Sequence, residues 1–518
     1  MCIGNSTKVP EKIAVQMDSV ISLELGAIID LSVEDILAIH KRDPEGTVAL
    51  VLAQRKVIIE MAMEVEQLKE RIRELEGQKS KDSHNSSKSS STDTRRTSKG
   101  RRVKSGKPSG GQKGHPGHTL KMVDKPDKVV VHPVTECSHC GRSLEGIAAV
   151  DSELRQVFDL PPMNVEVTEH RAEIKICPFC SSPNKATFPK EAQSPVQYGS
   201  WIKTIAVYWN QYQLMPYERL SESFLDLYGH APSQATLIQA THECYEALEY
   251  AEARIKELLH ASHAMCVDET GMRIEGERKW CHVYGTNSET FYAPHNKRGA
   301  EAGNDIGILP GYKGTVVHDG LISYFKFDCK HALCNSHHIR DLTFVHEEYD
   351  QSWPQELVDL LLKIKNAVDI RKTVATELDP WQIMTFEKSF DKIIEMGELE
   401  NPQPTPVAIP DGLPKKRGRK KQSIARNLLN RLRKYRMEAL AFMYDFEVPF
   451  DNNLAERDLR MMKVQQKISG TFRSWEGARM FCRIRGYVST VRKRSLSVID
   501  AIFGAMTGAP FIPGPVSC

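Results

Sequence analysis

The chain has 518 residues, 40% of them hydrophobic and 26% charged, with a formal net charge of +3. That length implies several domains at roughly 100–200 residues each, and the composition is that of an ordinary soluble protein. No uninterrupted apolar run of about 18 residues occurs, which argues against a transmembrane helix. Met1 to Val20 lacks the basic-then-apolar order of a secretory signal, so a cytosolic location is expected. Of twelve cysteines, four fall in two close pairs and the rest are scattered. In a reduced cytosol this reads as one metal site plus buried thiols, not as a disulfide framework.

From Val51 a heptad appears. Val51, Ile58, Val65 and Ile72 recur at sevens, and Met61, Leu68 and Leu75 fill the second seam position. This reads as a short coiled coil favouring two strands, or as one amphipathic helix packed on its own domain. From Gln78 to His118 all periodicity stops, and eleven Lys/Arg stand against two acids. Such a stretch cannot bury a core. It is either a tether whose cations (Arg101, Arg102, Lys104, Lys107, Lys113) meet DNA phosphates or a solvated linker.

Cys137-Ser138-His139-Cys140-Gly141 and Cys177-Pro178-Phe179-Cys180 follow. Two C-x₂-C knuckles suit one tetrahedral, structural Zn²⁺. The long intervening segment shows strand-like alternation (Val165, Val167, Ile174, Ile176), which predicts a hairpin between the knuckles. Tyr198 to Leu259 is helical in period. Leu220, Phe224 and Leu227 mark one face of a first helix, and Tyr228-Gly229-His230-Ala231-Pro232 makes a turn. Ser233 then caps a second helix through Cys244. The unit is a helix-turn-helix or two ordinary packed helices.

Strand character begins at His263. Apolar runs at Ala264–Val267, Trp280–Tyr284, Thr290–Ala293, Thr315–Val317 and Ala332–Cys334 are separated by turns, with a helical stretch at Ala300–Leu309. Three strands, helix, strand, connection, strand is the order of a ribonuclease-H-like core. Asp268 ends the first run and Asp319 the fourth. In this fold those strands are neighbours. Glu456 must come from a later helix running to about Gln466, and the 137-residue gap from Asp319 implies a helical insertion over Leu342 to Phe446.

Two strand-borne aspartates and a helix-borne glutamate suit a phosphoryl-transfer site that holds two Mg²⁺ about 4 Å apart. Glu456, Arg460 and Lys463, at i, i+4 and i+7, share a helical face, so the carboxylate can hold an ion while the cations hold DNA phosphate. Taken singly, each acid has a structural reading: Glu456 as a capping-box residue, Asp268 as a strand-end turn residue, Asp319-Gly320 as a turn. Glu269 is a rival to Asp268, ranked second because alternation puts it on the opposite side of the strand. Cys334, His337 and His338 read as helix-start residues near the site, or as a second metal site.

These residues together resemble the transposases of the IS66 insertion-sequence family. The resemblance is carried by Lys107-Pro108-Ser109-Gly110-Gly111-Gln112-Lys113-Gly114-His115-Pro116-Gly117-His118-Thr119-Leu120, by the two knuckles, by Asp268-Glu269-Thr270 and by Asp319-Gly320. Cys334-Asn335-Ser336-His337-His338 and the Asn453–Lys463 helix followed by Ser469-Gly470 add to it, so that it spans about residues 45–490. One departure is Arg460-Met461-Met462-Lys463 in place of the usual Arg-Pro-Ile-Ala, which leaves the local roles of Arg460 and Lys463 open.

The resemblance implies a DDE transposase that cuts at element ends and joins 3′ ends to target DNA with Mg²⁺, Mn²⁺ being able to substitute. Asp268, Asp319 and Glu456 would be its triad, and Cys137, Cys140, Cys177 and Cys180 its zinc ligands. Expected partners are DNA (terminal inverted repeats and target), a second copy or more of the chain on DNA, and accessory proteins of the same element, with no membrane; the place is cytoplasmic and nucleoid-associated. The expected architecture is multidomain α+β. Residues 1–77 form a helical region with the coiled coil, 78–118 the basic linker, 119–195 a four-cysteine zinc-binding domain and 196–260 a helical DNA-binding region. Residues 261–341 begin the ribonuclease-H-like α/β core, 342–446 are the insertion, 447–500 complete the core and 501–518 are a tail. The competing function is a catalytically inactive DNA-binding repressor or accessory protein; a pure binder has no reason to keep three carboxylates.

Overall fold

The computed structural model describes residues 120–160, 163–189, 192–403 and 422–515, with scattered positions between 37 and 72. The chain divides into two units, Met1–Asp82 and Ser83–Cys518. In the first, the heptad residues Ile58, Met61, Val65, Leu68 and Ile72 are helical and exposed; Val51 and Leu75 lie outside the described residues. No helix among the described residues is long and apolar enough to cross a membrane.

In the second unit β1 (Ile174–Ile176) and β2 (Pro183–Lys185) pair antiparallel, from Ile174↔Lys185 to Ile176↔Pro183. The hairpin therefore encloses the second knuckle; it does not lie between the two knuckles as the alternation suggested. The knuckle is itself a tight turn, so the chain reverses at the cysteines, and Val165 and Val167 belong to no strand.

Four helices follow: α1 (Ser200–Val207), α2 (Tyr217–Tyr228), α3 (Gln234–Ala247) and α4 (Glu249–His260). Between α1 and α2 the chain makes a π-helical segment, Tyr208–Tyr212. Gly229 ends α2 at φ 71°, a left-handed C-cap that glycine adopts without a Cβ penalty. Ser233 Oγ accepts from the Thr236 amide at 3.2 Å and starts α3. The helix-turn-helix order is thus present. Leu220 and Phe224 are buried, whereas Leu227, in the last turn, is exposed.

The sheet comprises β3 (Ala264–Ile274), β4 (Glu277–Gly285), β5 (Thr290–His295), β6 (Thr315–His318) and β7 (Lys330–Leu333) in the order β5-β4-β3-β6-β7. The first three strands are antiparallel, and β3-β6-β7 are parallel. Helix α5 (Ala300–Ile306) lies between β5 and β6 and is shorter than expected, because Gly307 stops it at φ 79°. Strand β3 runs seven residues past Val267. Glu275 and Gly276, at φ 54° and 81°, form a two-residue hairpin turn that pairs Ile274 with Glu277 and extends the ladder.

Alternate residues of the strands feed two cores. Met265, Val267, Tyr284 and Val316 pack with Ile255 and Leu259 of α4. Cys266, Cys281, Val283 and Val317 pack with α12 (Asn453–Ser469) and α13 (Trp475–Lys493), which supply Ala455, Leu459, Met462, Phe481 and Cys482. Helix α14 (Val498–Met506) joins α1 and α3 on a further core with Val488 and Val491.

Between β7 and α12 come α6 (Asn335–Tyr349), α7 (Trp353–Arg371), α8 (Pro380–Glu400), α9 (Ile424–Lys434) and the short α10 (Arg436–Ala439) and α11 (Ala441–Tyr444). They share an apolar cluster from Leu342 to Phe446 centred on Trp353, Leu357, Leu361, Phe390 and Leu429. Helix α8 begins with Pro380 after a reciprocal Asp379–Gln382 capping box. The excursion leaves and returns at one place. The Asn335 amide donates to Phe450 O at 3.2 Å, and Ser336 Oγ to Asp451 Oδ2 at 3.2 Å.

Candidate active site and metal centres

Three segments deliver the expected carboxylates. Asp268 sits on β3 two residues beyond the last β3–β6 pair, Cys266↔Val317. Asp319 follows the end of β6, where its Oδ1 accepts from the Leu321 amide at 2.9 Å and Gly320 turns the chain at φ 94°. Glu456 lies in the first turn of α12. It is no capping-box residue: Asn452 is the N-cap, no side-chain cap bond forms, and the Glu456 carboxylate faces Arg340 Nη2 at 3.5 Å and His337 Nδ1 at 3.8 Å.

Asn452 pins the arrangement. Its amide donates to Cys334 Sγ at 3.1 Å and its Nδ2 to Val267 O at 2.7 Å. One buried residue, through its backbone amide and its side chain, thus joins β3, the end of β7 and the start of α12. Behind the site, Asp458 Oδ2 pairs with Lys493 Nζ at 2.9 Å and accepts from Thr290 Oγ1 at 3.2 Å, while Ser489 Oγ donates to Oδ1 at 3.3 Å. These contacts fix α12 to α13 and β5.

Ligand atoms of Asp268, Glu269 and Asp319 all lie within 4.8 Å of one another. Glu269 therefore reaches the same cluster, contrary to the expectation from alternation. Past Cys266 the β6 side of β3 is open, so two adjacent side chains can bend round that edge. Its role nevertheless differs. Glu269 Oε1 accepts from Arg298 Nε at 2.7 Å and Oε2 from Tyr324 OH at 2.5 Å, so both oxygens are engaged. Asp268 Oδ1 accepts only the Glu269 amide, at 2.8 Å. Burial, then Glu269 and Asp319, push the Asp268 carboxyl well above the usual range, with Glu456 adding to the rise. Burial also raises Glu269, against the Tyr324 and Arg298 hydrogen bonds. Glu456 Oε1 is buried with no hydrogen-bond partner. The crowd of carboxylates at Asp268, Glu269 and Asp319 fits hard divalent cations, which favour oxygen donors. Glu456 does not join the aspartates within 4.8 Å; it groups instead with Cys334 and His337.

Arg298, Tyr324, Arg340 and Asn452 escaped the sequence reading, since none sits at a diagnostic spacing from the acids. Lys463 Nζ reaches Gly271 O at 3.0 Å and, with Arg273 and Arg278, lines an open groove beside α12. Arg460 is exposed on the same helix. Arg101, Arg102, Lys104, Lys107 and Lys113 lie outside the described residues.

The knuckles share one geometry. Cys137 N donates to Arg142 O and Gly141 N to Cys137 O, both at 2.9 Å; Cys177 N to Ser182 O and Ser181 N to Cys177 O repeat this. Gly141 and Ser181 occupy the equivalent left-handed position at φ 71° and 54°. Hydrogen bonds from the His139 and Cys140 backbone lower the Cys137 thiol, and bonds from Ser182 lower that of Cys180. Thiols whose ionisation the knuckle favours suit Zn²⁺. No three of the four sulfurs lie within 4.8 Å of one another, so the two pairs stand apart.

Comparison with known families follows this division. The family described as "Transposase IS66 family" matches residues 196–480, more than half of the chain. The "zinc-finger binding domain of transposase IS66" matches residues 135–181, and a "Family of unknown function (DUF6444)" matches residues 41–121. No curated protein matches the chain.

Proposed function

The chain belongs to the IS66 transposase family, and on that premise we propose that it cuts DNA at the ends of an insertion sequence and joins the 3′ ends to target DNA through Asp268, Asp319 and Glu456. The observation that supports this is the cluster of Asp268 and Asp319 at the neighbouring ends of β3 and β6, with the first turn of α12 tied to β3 through Asn452. The ribonuclease-H-like reading draws support from the strand order β5-β4-β3-β6-β7 with β3 and β6 parallel at the site.

In this reading Asp268, Asp319 and Glu456 would be the residues that hold two Mg²⁺ ions. Bound Mg²⁺ would lower the pKa of an attacking water or 3′-hydroxyl and stabilise the departing oxygen. Arg298 and Tyr324 engage both oxygens of Glu269, which leaves Asp268 as the freer ligand on β3. Lys463, Arg273, Arg278 and Arg460 hold the DNA backbone alongside α12, and the basic cluster from Arg101 to Lys113 adds affinity that weakens with salt. The zinc-finger domain, with Cys137, Cys140, Cys177 and Cys180 as ligands of one Zn²⁺, binds the element ends together with α2 and α3. A second copy joins through the exposed heptad face.

The test is a Mg²⁺-dependent cleavage and strand-joining assay on DNA carrying the element ends, comparing wild type with Asp319→Asn. Joined product from wild type alone, with DNA binding equal in both, supports the reading. Wild type that binds ends but never cuts with Mg²⁺ or Mn²⁺ would instead favour the inactive DNA-binding protein.

A further inference from the structure

We propose that Cys334 Sγ, His337 Nδ1 and the Glu456 carboxylate form a binding site for a Zn²⁺-class ion, distinct in donor chemistry from the all-oxygen cluster at Asp268. The three ligand atoms lie within 4.8 Å of one another. Both His337 Nδ1 and Glu456 Oε1 are buried without a hydrogen-bond partner. They stand 3.8 Å apart, too far for a hydrogen bond. Two ligands about 2.1 Å from a common tetrahedral ion would be about 3.4 Å apart, close to that spacing. An ion between them would resolve two unsatisfied buried atoms at once.

The backbone prepares the site. Cys334 is the N-cap of α6 and His337 lies three residues on, so both point from the start of one helix. Cys334 is 1% exposed; burial pushes its thiol up to about 12, and the Asn452 amide, which donates to the sulfur at 3.1 Å, works against that rise. Arg340 occupies Glu456 Oε2 at 3.5 Å and leaves Oε1 for the ion. The Glu456 side chain is 27% exposed, so solvent can supply a fourth ligand. Sulfur and imidazole donors disfavour Mg²⁺ and Ca²⁺ and suit zinc.

Because Glu456 also belongs to the proposed triad, an ion here would hold that carboxylate on the Cys334 side. The site itself stands on the side-chain cluster, and its test does not use DNA chemistry. Full-length protein is stripped of metal, equilibrated with Zn²⁺, desalted and assayed for zinc per chain by mass spectrometry. Cys334→Ser and His337→Ala are each expected to hold one zinc fewer than wild type, while Cys177→Ser loses a different one. Replacing zinc by Co²⁺ in Cys177→Ser, Cys180→Ser protein should leave a thiolate-to-cobalt absorption band that His337→Ala abolishes. His337 lies at the partly exposed helix start, so His337→Ala tests the site if Cys334→Ser fails to fold. Equal zinc content in wild type and His337→Ala, with the cobalt band unchanged, would overturn the site. Loss of strand joining in Asp319→Asn with zinc content unchanged would leave both readings standing. Zinc loss in His337→Ala beside a wild type that never joins DNA would keep this site and sink the other.

Discussion

Around the knuckle cysteines Ile176 and Phe179 are 71% and 96% exposed, whereas beside the carboxylates Val267, Val283 and Val317 are buried to 1% or less. The knuckle region has a three-residue hairpin and a few turn hydrogen bonds, and too little buried apolar surface to order itself. Its stability must come from the metal, as is usual for structural zinc. The carboxylate site is the reverse. A sheet covered on both faces holds Asp268 beside Glu269 and Asp319 although their charges repel. One region is stabilised by its ion; the other is a destabilising site that its surroundings hold in place.

Four changes would break or sharpen this contrast. The largest effect is expected from Asp268→Asn. Losing a metal ligand worth several kcal/mol should lower strand joining on the order of 10³-fold. In metal-free buffer the same change should raise thermal stability, by about 1 kcal/mol, because a buried carboxylate crowded by like charges is gone. A lower melting temperature would show that Asp268 is structural. Next comes Asp458→Ala, which leaves Lys493, at 13% side-chain exposure, bonded to the Thr286 and Glu289 carbonyls but without its carboxylate partner. It should cost about 3 kcal/mol in chemical denaturation and lower activity by displacing α12. An unchanged denaturation midpoint would show that α12 is held by its apolar face alone.

Gly397→Ala is expected to cost about 2 kcal/mol. Its Cβ would meet Leu429 Cδ2 at 2.7 Å and Trp353 Cδ2 at 2.8 Å, in the cluster that α7, α8 and α9 share. Hydrogen exchange should locate the loosening within residues 342–446; loosening spread into β3 would instead couple that cluster tightly to the sheet. The smallest effect on the core belongs to Cys177→Ser. It should expose residues 135–185 to protease yet shift the main melting transition by less than about 0.5 kcal/mol. A large shift would mean that the knuckles and the sheet stabilise one another.

The sequence made the strand order legible because each strand is an apolar run bounded by turn residues. The ends of α2 and α3 were legible through Gly229 and Ser233, whose roles are local. Asp319 and Glu456 could be placed for the same reason, at a strand end and a helix start. The far half of β3 was hidden. Asp268-Glu269-Thr270-Gly271 looks like a turn, and only pairing with Trp280 to Val283 makes it strand. The partners of Glu269 were hidden more deeply. Arg298 and Tyr324 lie 29 and 55 residues away and meet it only after the sheet has closed. Glu269 and Asp268 looked like rivals for one task, and only those tertiary contacts distinguish their surroundings.

The stem formed by Asn335–Phe450 and Ser336–Asp451 has a consequence for how such a chain can change. Closing a segment whose two ends already meet adds little entropy per added residue, since the cost grows only with the logarithm of length. The outer helices α7 to α9 could lengthen, shrink or be exchanged for another folded module while Asn452, and Arg340 on α6, still set Glu456 in place. The excursion is then a graft point, at which a new partner or target preference can be acquired without rebuilding the chemistry.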